Sequence, residues 1–175
     1  MKFLSDVRLL LLSIWLGAAV FFIAVAQSAF AVLPQRELAG AMVSRTLSIL
    51  NFGGLAIGII LIATSFIGTS TFKRASIWAE RFLFLILAGA CAAGQFVIGL
   101  WLSMLRGQMN RPIDEIPADD PLRMKFDSLH NYSEWVLLIA MVAALIAFFL
   151  ISNRRYVAKT AATNDPYDFS KEFKI

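Results

Sequence analysis

Apolar residues gather in four runs along the chain, Leu9 to Leu33, Leu47 to Ser70, Phe82 to Leu105 and Trp135 to Ser152, and charged residues are confined almost entirely to the segments between them. A bilayer hydrocarbon core about 30 Å thick is crossed by about 20 apolar residues in a helix. In lipid, only helices and closed barrels satisfy their own backbone hydrogen-bonding groups. The runs therefore predict an all-α fold, an integral membrane four-helix bundle. The expected organisation is a membrane domain over residues 1–152, with spans at 9–33, 47–70, 82–105 and 135–152, an outer loop over 106–134 and a tail over 153–175.

Polar punctuation adds detail between the spans. Pro34 to Glu37 ends the first run, and Leu38 to Arg45 predicts an interfacial turn of helix before span two. After span three, Arg111-Pro112 through Asp120-Pro121 contains three prolines and predicts an extended segment. Asp120 followed by Pro121 reads as an N-cap and first helical residue. Leu122, Phe126 and Leu129 then supply an apolar stripe at helical spacing, so a short interfacial helix is expected to run directly into the last span.

Composition strengthens the membrane reading. Hydrophobic residues make up 59% of the chain and charged residues 16%, against about 25% charged in soluble domains, and the mean hydropathy is +0.72. Lys2 and Arg8 ahead of the first run, with Ala29-Phe30-Ala31 inside it, imitate a secretory leader. The apolar stretch of about 25 residues exceeds the roughly 7–15 of a leader, which predicts a retained span.

Basic residues set the expected orientation. With both termini inside, ten Lys and Arg fall on the inner side (Lys2, Arg8, Lys73, Arg74, Arg81, Arg154, Arg155, Lys159, Lys171, Lys174) and six on the outer (Arg36, Arg45, Arg106, Arg111, Arg123, Lys125). That asymmetry follows the positive-inside tendency and places the chain in a plasma membrane, of the bacterial inner-membrane type, with both termini cytoplasmic. The pI of about 9.5 thus reflects membrane anchoring, and no nucleic-acid-reading motif accompanies it.

Several chemistries drop out. The single cysteine, Cys91, excludes an intrachain disulfide framework and any CxxC motif. One histidine cannot supply two haem ligands, and neither a P-loop nor a GxSxG elbow is present. The six methionines are scattered. No cofactor and no catalytic activity are expected.

Three amides stand out within the spans: Gln27, Asn51 and Gln95. An amide facing acyl chains loses its hydrogen bonds, so each is expected to turn toward another helix or a wet cavity. Asn51, Gly54, Gly58 and Ser65 share one face of span two, and Ala88, Cys91, Gln95 and Gly99 share a face of span three. Gly54-x-x-x-Gly58, Ala90-x-x-x-Gly94 and Ala140-x-x-x-Ala144 are small-x-x-x-small patterns that permit close helix approach. These polar residues serve either as structural glue between helices or as a polar cluster opening outward.

One constellation carries possible ion chemistry. Asp127, His130 and Glu134 stand at i, i+3 and i+7, which puts an imidazole and two carboxylates on one helix face. The group is a candidate for a divalent cation or a proton, and its structural alternative is a surface salt-bridge ladder. Arg36 and Arg45 are read similarly, as binders of lipid phosphates or as part of a solute path.

Trp15-Leu16-Gly17 leading into Val20-Phe21-Phe22, then Leu33-Pro34-x-Arg36, then Ala39-Gly40 with Leu47, resembles the opening half of the transmembrane-protein-205-like domain. Phe126-x-x-Leu129-His130-x-x-Ser133 resembles that family's Leu-His-Gly-x-Ser segment, with Asn131 where the family usually has glycine. The resemblance covers about residues 8 to 152 and falls on Trp15, Gly17, Arg36, His130 and Ser133. It implies four membrane helices and a link to drug and heavy-metal tolerance or export, without an established reaction.

Two function classes follow. The first is a helper of export of, or tolerance to, metals or small toxic compounds, which as a transporter would need to homo-oligomerise, since no inverted repeat is evident between the halves. The second is an accessory subunit of a larger electron-transfer or pigment complex, docked through its helices and its tail. In that tail, Asp165-Pro166-Tyr167-Asp168-Phe169 and Phe173 set aromatics in a polar segment too short to build its own core.

Overall fold

The computed structural model describes residues 2–67 and 74–162, with nothing said of the side chains of 2, 74, 114 and 154–162. The described residues form α1 (Lys2–Val32), α2 (Arg36–Thr64), α3 (Arg74–Ala92), a π-helical turn (Ala93–Ile98), α4 (Gly99–Met109), a 3-10 turn (Ile113–Glu115) and α5 (Pro121–Ala162). α3, the π turn and α4 join end to end, so the architecture is four long rods. Each rod contains a helix long and apolar enough to cross a membrane.

Cross-contacts fix the directions of the rods. Trp15 meets Leu50 while Arg8 meets Thr64, so α1 and α2 run antiparallel. Gly94 meets Asn51 while Arg81 meets Ser65, so the third rod runs opposite to α2. α1 and α3 both pack on α2 and on α5. The connections 33–35 and 110–120 lie at one end of the bundle, the Pro34 end, and the last turn of α2 lies at the other, the Ser65 end.

Inward positions recur every three or four residues, as a helical bundle requires. Leu12, Trp15, Ala19 and Phe22 line α1; Phe84, Leu87 and Cys91 line α3; Ala140, Ala144, Ala147 and Ile151 line α5. The opposite faces expose large apolar side chains such as Phe21, Phe52, Phe82 and Phe149. Exposed apolar surface on this scale is untenable in water and fits a surround of lipid.

Several element bounds differ from the sequence expectation. α2 begins at Arg36, with no separate interfacial turn, because the segment after Pro34 contains no further proline and Gly40 lies under the Arg106 guanidinium instead of breaking the helix. The helix gives way to turns at Ser65. The third rod continues to Met109, and in the segment 110–120 that follows it Ile113–Glu115 winds into a 3-10 turn where an extended chain was expected. α4 stops at Asn110, whose φ of 49° places it in the left-handed region that ends helices. The Asp120 carboxylate accepts the Leu122 amide N–H at 2.7 Å, which makes it the expected cap. From Pro121 one helix runs through the last span to Ala162, and the remaining tail, including Tyr167, Phe169 and Phe173, lies outside the described residues.

Close approach of α2 to its neighbours depends on its glycines. A Cβ built at Gly54 would collide with the Trp15 indole and the Cys91 sulfur, and one at Gly58 would come within 2.9 Å of the Ala88 Cβ. The contact lets the buried Trp15 indole N–H donate to the Leu50 carbonyl at 3.2 Å. By contrast, nothing lies within 4 Å of a Cβ at Gly17, which is exposed. Gly54→Val is therefore expected to destabilise the bundle by about 1–3 kcal/mol through overpacking, whereas Gly17→Ala should stay within about 0.5 kcal/mol of the parent. Unfolding of both variants in one detergent checks the contrast; equal loss at the two positions would contradict it.

Candidate functional site

The candidate residues separate into three places. The first is mid-bundle, where α2, the π turn and α5 meet. Asn51 is 6% exposed, and its amide nitrogen lies 3.1 Å from where a Gly94 Cβ would stand, so the missing side chain at Gly94 makes room for it. Ser133 enters from α5 and is also buried. With Cys91, these side chains line a cavity of about 10 Å³. Gln95 follows Gly94 in the π turn and is half-buried. Turns of this type are frequent at functional sites.

Gln27 does not join this group. It is exposed on α1, because the inward side there is taken by Phe22, Ala26 and Ala29. It lies close to the Pro34 end of a helix longer than about 20 residues, so it can reach the interface without a helix partner. Gly99 likewise turns outward, while Ile98 beside it faces the core.

The second place is the exposed face of α5. His130 Nε2 stands 3.5 Å from Glu134 Oε1, and its ring stacks parallel to Phe126 at 6.4 Å. The Asp127 carboxylate turns instead to Arg123, 4.0 Å away. The three predicted ligands thus share a face without converging, since each acid lies one helical turn from its own basic neighbour. Among the described residues no group of three His, Cys, Asp or Glu side chains is arranged to hold a metal ion. Arg36 opens α2 on the exposed side, followed by Glu37.

The third place, at the Pro34 end, was invisible in the sequence. Met109, Ile116 and Phe126 form a small second core, with Leu102, Leu105, Ile113 and Leu122 packed against it. Arg123 clips the connection onto α5 by donating to the carbonyls of Ile113 and Ile116. Arg106 reaches from α4 over Phe126, 5.4 Å from its ring centre, and across Gly40. Beside this core an open groove of about 690 Å³ runs between the third rod and α5. Trp101, Met104, Leu105 and Gln108 form one wall, and Met124, Lys125, Ser128 and Leu129 the other.

The Ser65 end is also more built than its sequence suggests. Arg8, 8% exposed, donates from Nε to the Thr64 hydroxyl at 3.2 Å and from Nη2 to the Thr64 carbonyl. Arg81 donates to the Ser65 hydroxyl and carbonyl, each at 3.2 Å, and lies over the Phe66 ring at 4.2 Å. Two guanidinium groups therefore serve the last carbonyls of α2, where the helix dipole is negative. Glu80, 2% exposed, sits beside Arg81 on α3. Both arginines were expected as membrane anchors; a count of charges at span ends does not reveal that they reach back to cap a neighbouring helix.

These features define a multi-pass helical membrane protein, with a sealed core, a polar pocket at its centre and an apolar groove near one end. The chain belongs to the family described as a domain of unknown function, DUF4149, whose model matches residues 10–111. That range contains Trp15, Gly17, Arg36, Asn51 and Gln95 and ends before His130 and Ser133. No curated protein and no solved structure matches the chain significantly.

Two substitutions separate structural from solvent-facing charges. Arg123→Ala removes both hydrogen bonds to the 110–120 connection and should speed protease cutting there several-fold. His130→Ala removes an exposed pair, a type worth about 0–1 kcal/mol, and a ring contact to Phe126 at 6.4 Å, but no hydrogen bond to the connection, and should leave cutting there unchanged. Limited proteolysis of both variants in the same lipid checks this; unchanged cutting in Arg123→Ala would contradict it.

Proposed function

We propose that the protein is a non-enzymatic, transmembrane-protein-205-like helper of export of, or tolerance to, small toxic compounds, and that the compound binds in the groove between the third rod and α5. The groove carries this reading. Its volume of about 690 Å³ falls within the roughly 300–1,000 Å³ of small-molecule sites. Its walls combine an indole with two methionines, side chains that adapt to varied apolar shapes. Lys125, Gln108 and Ser128 supply a few polar groups for orientation. Lipophilic or amphipathic molecules fit this chemistry better than metal ions do, given the separation of Asp127, His130 and Glu134.

The bundle interior supports a helper role over conduction by one copy. Trp15, Phe84, Leu12, Leu61 and Leu87 fill it. Transport across the bilayer therefore requires further copies or a partner pump. In this reading the chain sits in a bacterial inner membrane with both termini cytoplasmic, which places the groove toward the outer leaflet.

Trp101 supplies the test. In lipid nanodiscs, a lipophilic fluorescent cation is expected to quench part of the tryptophan emission saturably, and that part should vanish in Trp101→Phe. Ser128→Trp, which fills the groove from an exposed position, should weaken binding at least tenfold. Quenching that rises without saturation and is indifferent to both substitutions would reject the groove as the site.

A further inference from the structure

We propose that the pocket at the junction of α2, the π turn and α5 is a hydration site, in which one water molecule is held between the Asn51 amide and the Ser133 hydroxyl. Both residues are more than nine-tenths buried. Among the described residues neither side chain makes a hydrogen bond, and neither is one of the polar atoms sealed from solvent without a partner, so both keep access to the cavity between them. A buried amide in a membrane span pays a large desolvation cost unless it is bonded, and both residues line the same cavity.

The size of that cavity selects the ligand. About 10 Å³ is close to the minimum that one ordered water needs, and far below what an organic solute requires. Its chemistry selects in the same direction. The lining provides an amide, a hydroxyl and a thiol and no carboxylate, with Leu47, Ala90, Val136, Leu137 and Ala140 around them. A neutral molecule that both donates and accepts suits this set; a cation does not. The local backbone is arranged around the same point, since Gly94 lacks the side chain that would meet the amide and its carbonyl accepts the Gly99 N–H from five residues on. A water here ties α2 to α5 across the π turn, a bridge of the kind that costs little entropy and approaches a direct hydrogen bond in strength.

Cys91 is the only thiol in the chain and lines this pocket, so its S–H stretch is a built-in infrared reporter. In the full-length protein in lipid, transfer to heavy water is expected to convert Cys91 S–H to S–D within minutes. In Asn51→Leu and in Ser133→Val the conversion should slow at least tenfold. A wild-type S–H band that persists for hours would overturn the proposal without recourse to any variant, and so would conversion at the same rate in a folded Asn51→Leu protein. A structure at water-resolving resolution supplies the direct check: density within hydrogen-bond distance of both side chains is expected, and a direct Asn51 to Ser133 hydrogen bond with no density between them would overturn the site.

Discussion

The close contact of α2 with α1 and α3 is the constraint on which the rest of this bundle depends. Lipid tails are as apolar as leucine, so helices in a membrane are held by packing and by a few hydrogen bonds between them. Gly54 and Gly58 remove the side chains that would keep α2 away from Trp15, Cys91 and Ala88. Only at that separation can the Trp15 indole reach the Leu50 carbonyl. The same approach carries Asn51, one turn from Gly54, into the space at Gly94. A packing requirement thereby positions the one deeply buried side-chain amide among the described residues.

Polar groups at the ends work by a related rule, each answering an otherwise unpaired backbone group. Arg8 and Arg81 serve the last carbonyls of α2, and Arg123 serves the carbonyls of the connection between α4 and α5. Because that connection is held down by Arg123 and by the small core of Met109, Ile116 and Phe126, the third rod and α5 keep a fixed separation beyond it. The groove occupies that separation. Trp101, Met104 and Met124 on its walls are exposed apolar side chains.

The four spans and the helix starting at Pro121 were legible because length, hydropathy and capping chemistry are local properties. The start of α2 was not. Glu37, Ser44, Arg45 and Thr46 lower the hydropathy of its first turns without ending the helix, so an apolar run understates it. Hydropathy singled out Gln27, Asn51 and Gln95 alike, yet only Asn51 is buried, because the direction of a side chain depends on which neighbours surround it. The spacing of Asp127, His130 and Glu134 correctly placed them on one face but could not reveal that Arg123 takes the Asp127 carboxylate. The groove was illegible in principle, since it arises from the spacing of two rods and from no motif.

The proposed function has a small, sealed bundle with an apolar groove acting on compounds in the membrane, alone or with copies of itself. Native mass analysis of the protein, extracted gently from its own membrane through a small affinity tag, tests that claim most directly. The account predicts recovery as a monomer or homo-oligomer, with small lipophilic molecules released on activation. Recovery in fixed stoichiometry with the subunits of an electron-transfer or pigment complex would contradict it and make the chain an accessory subunit.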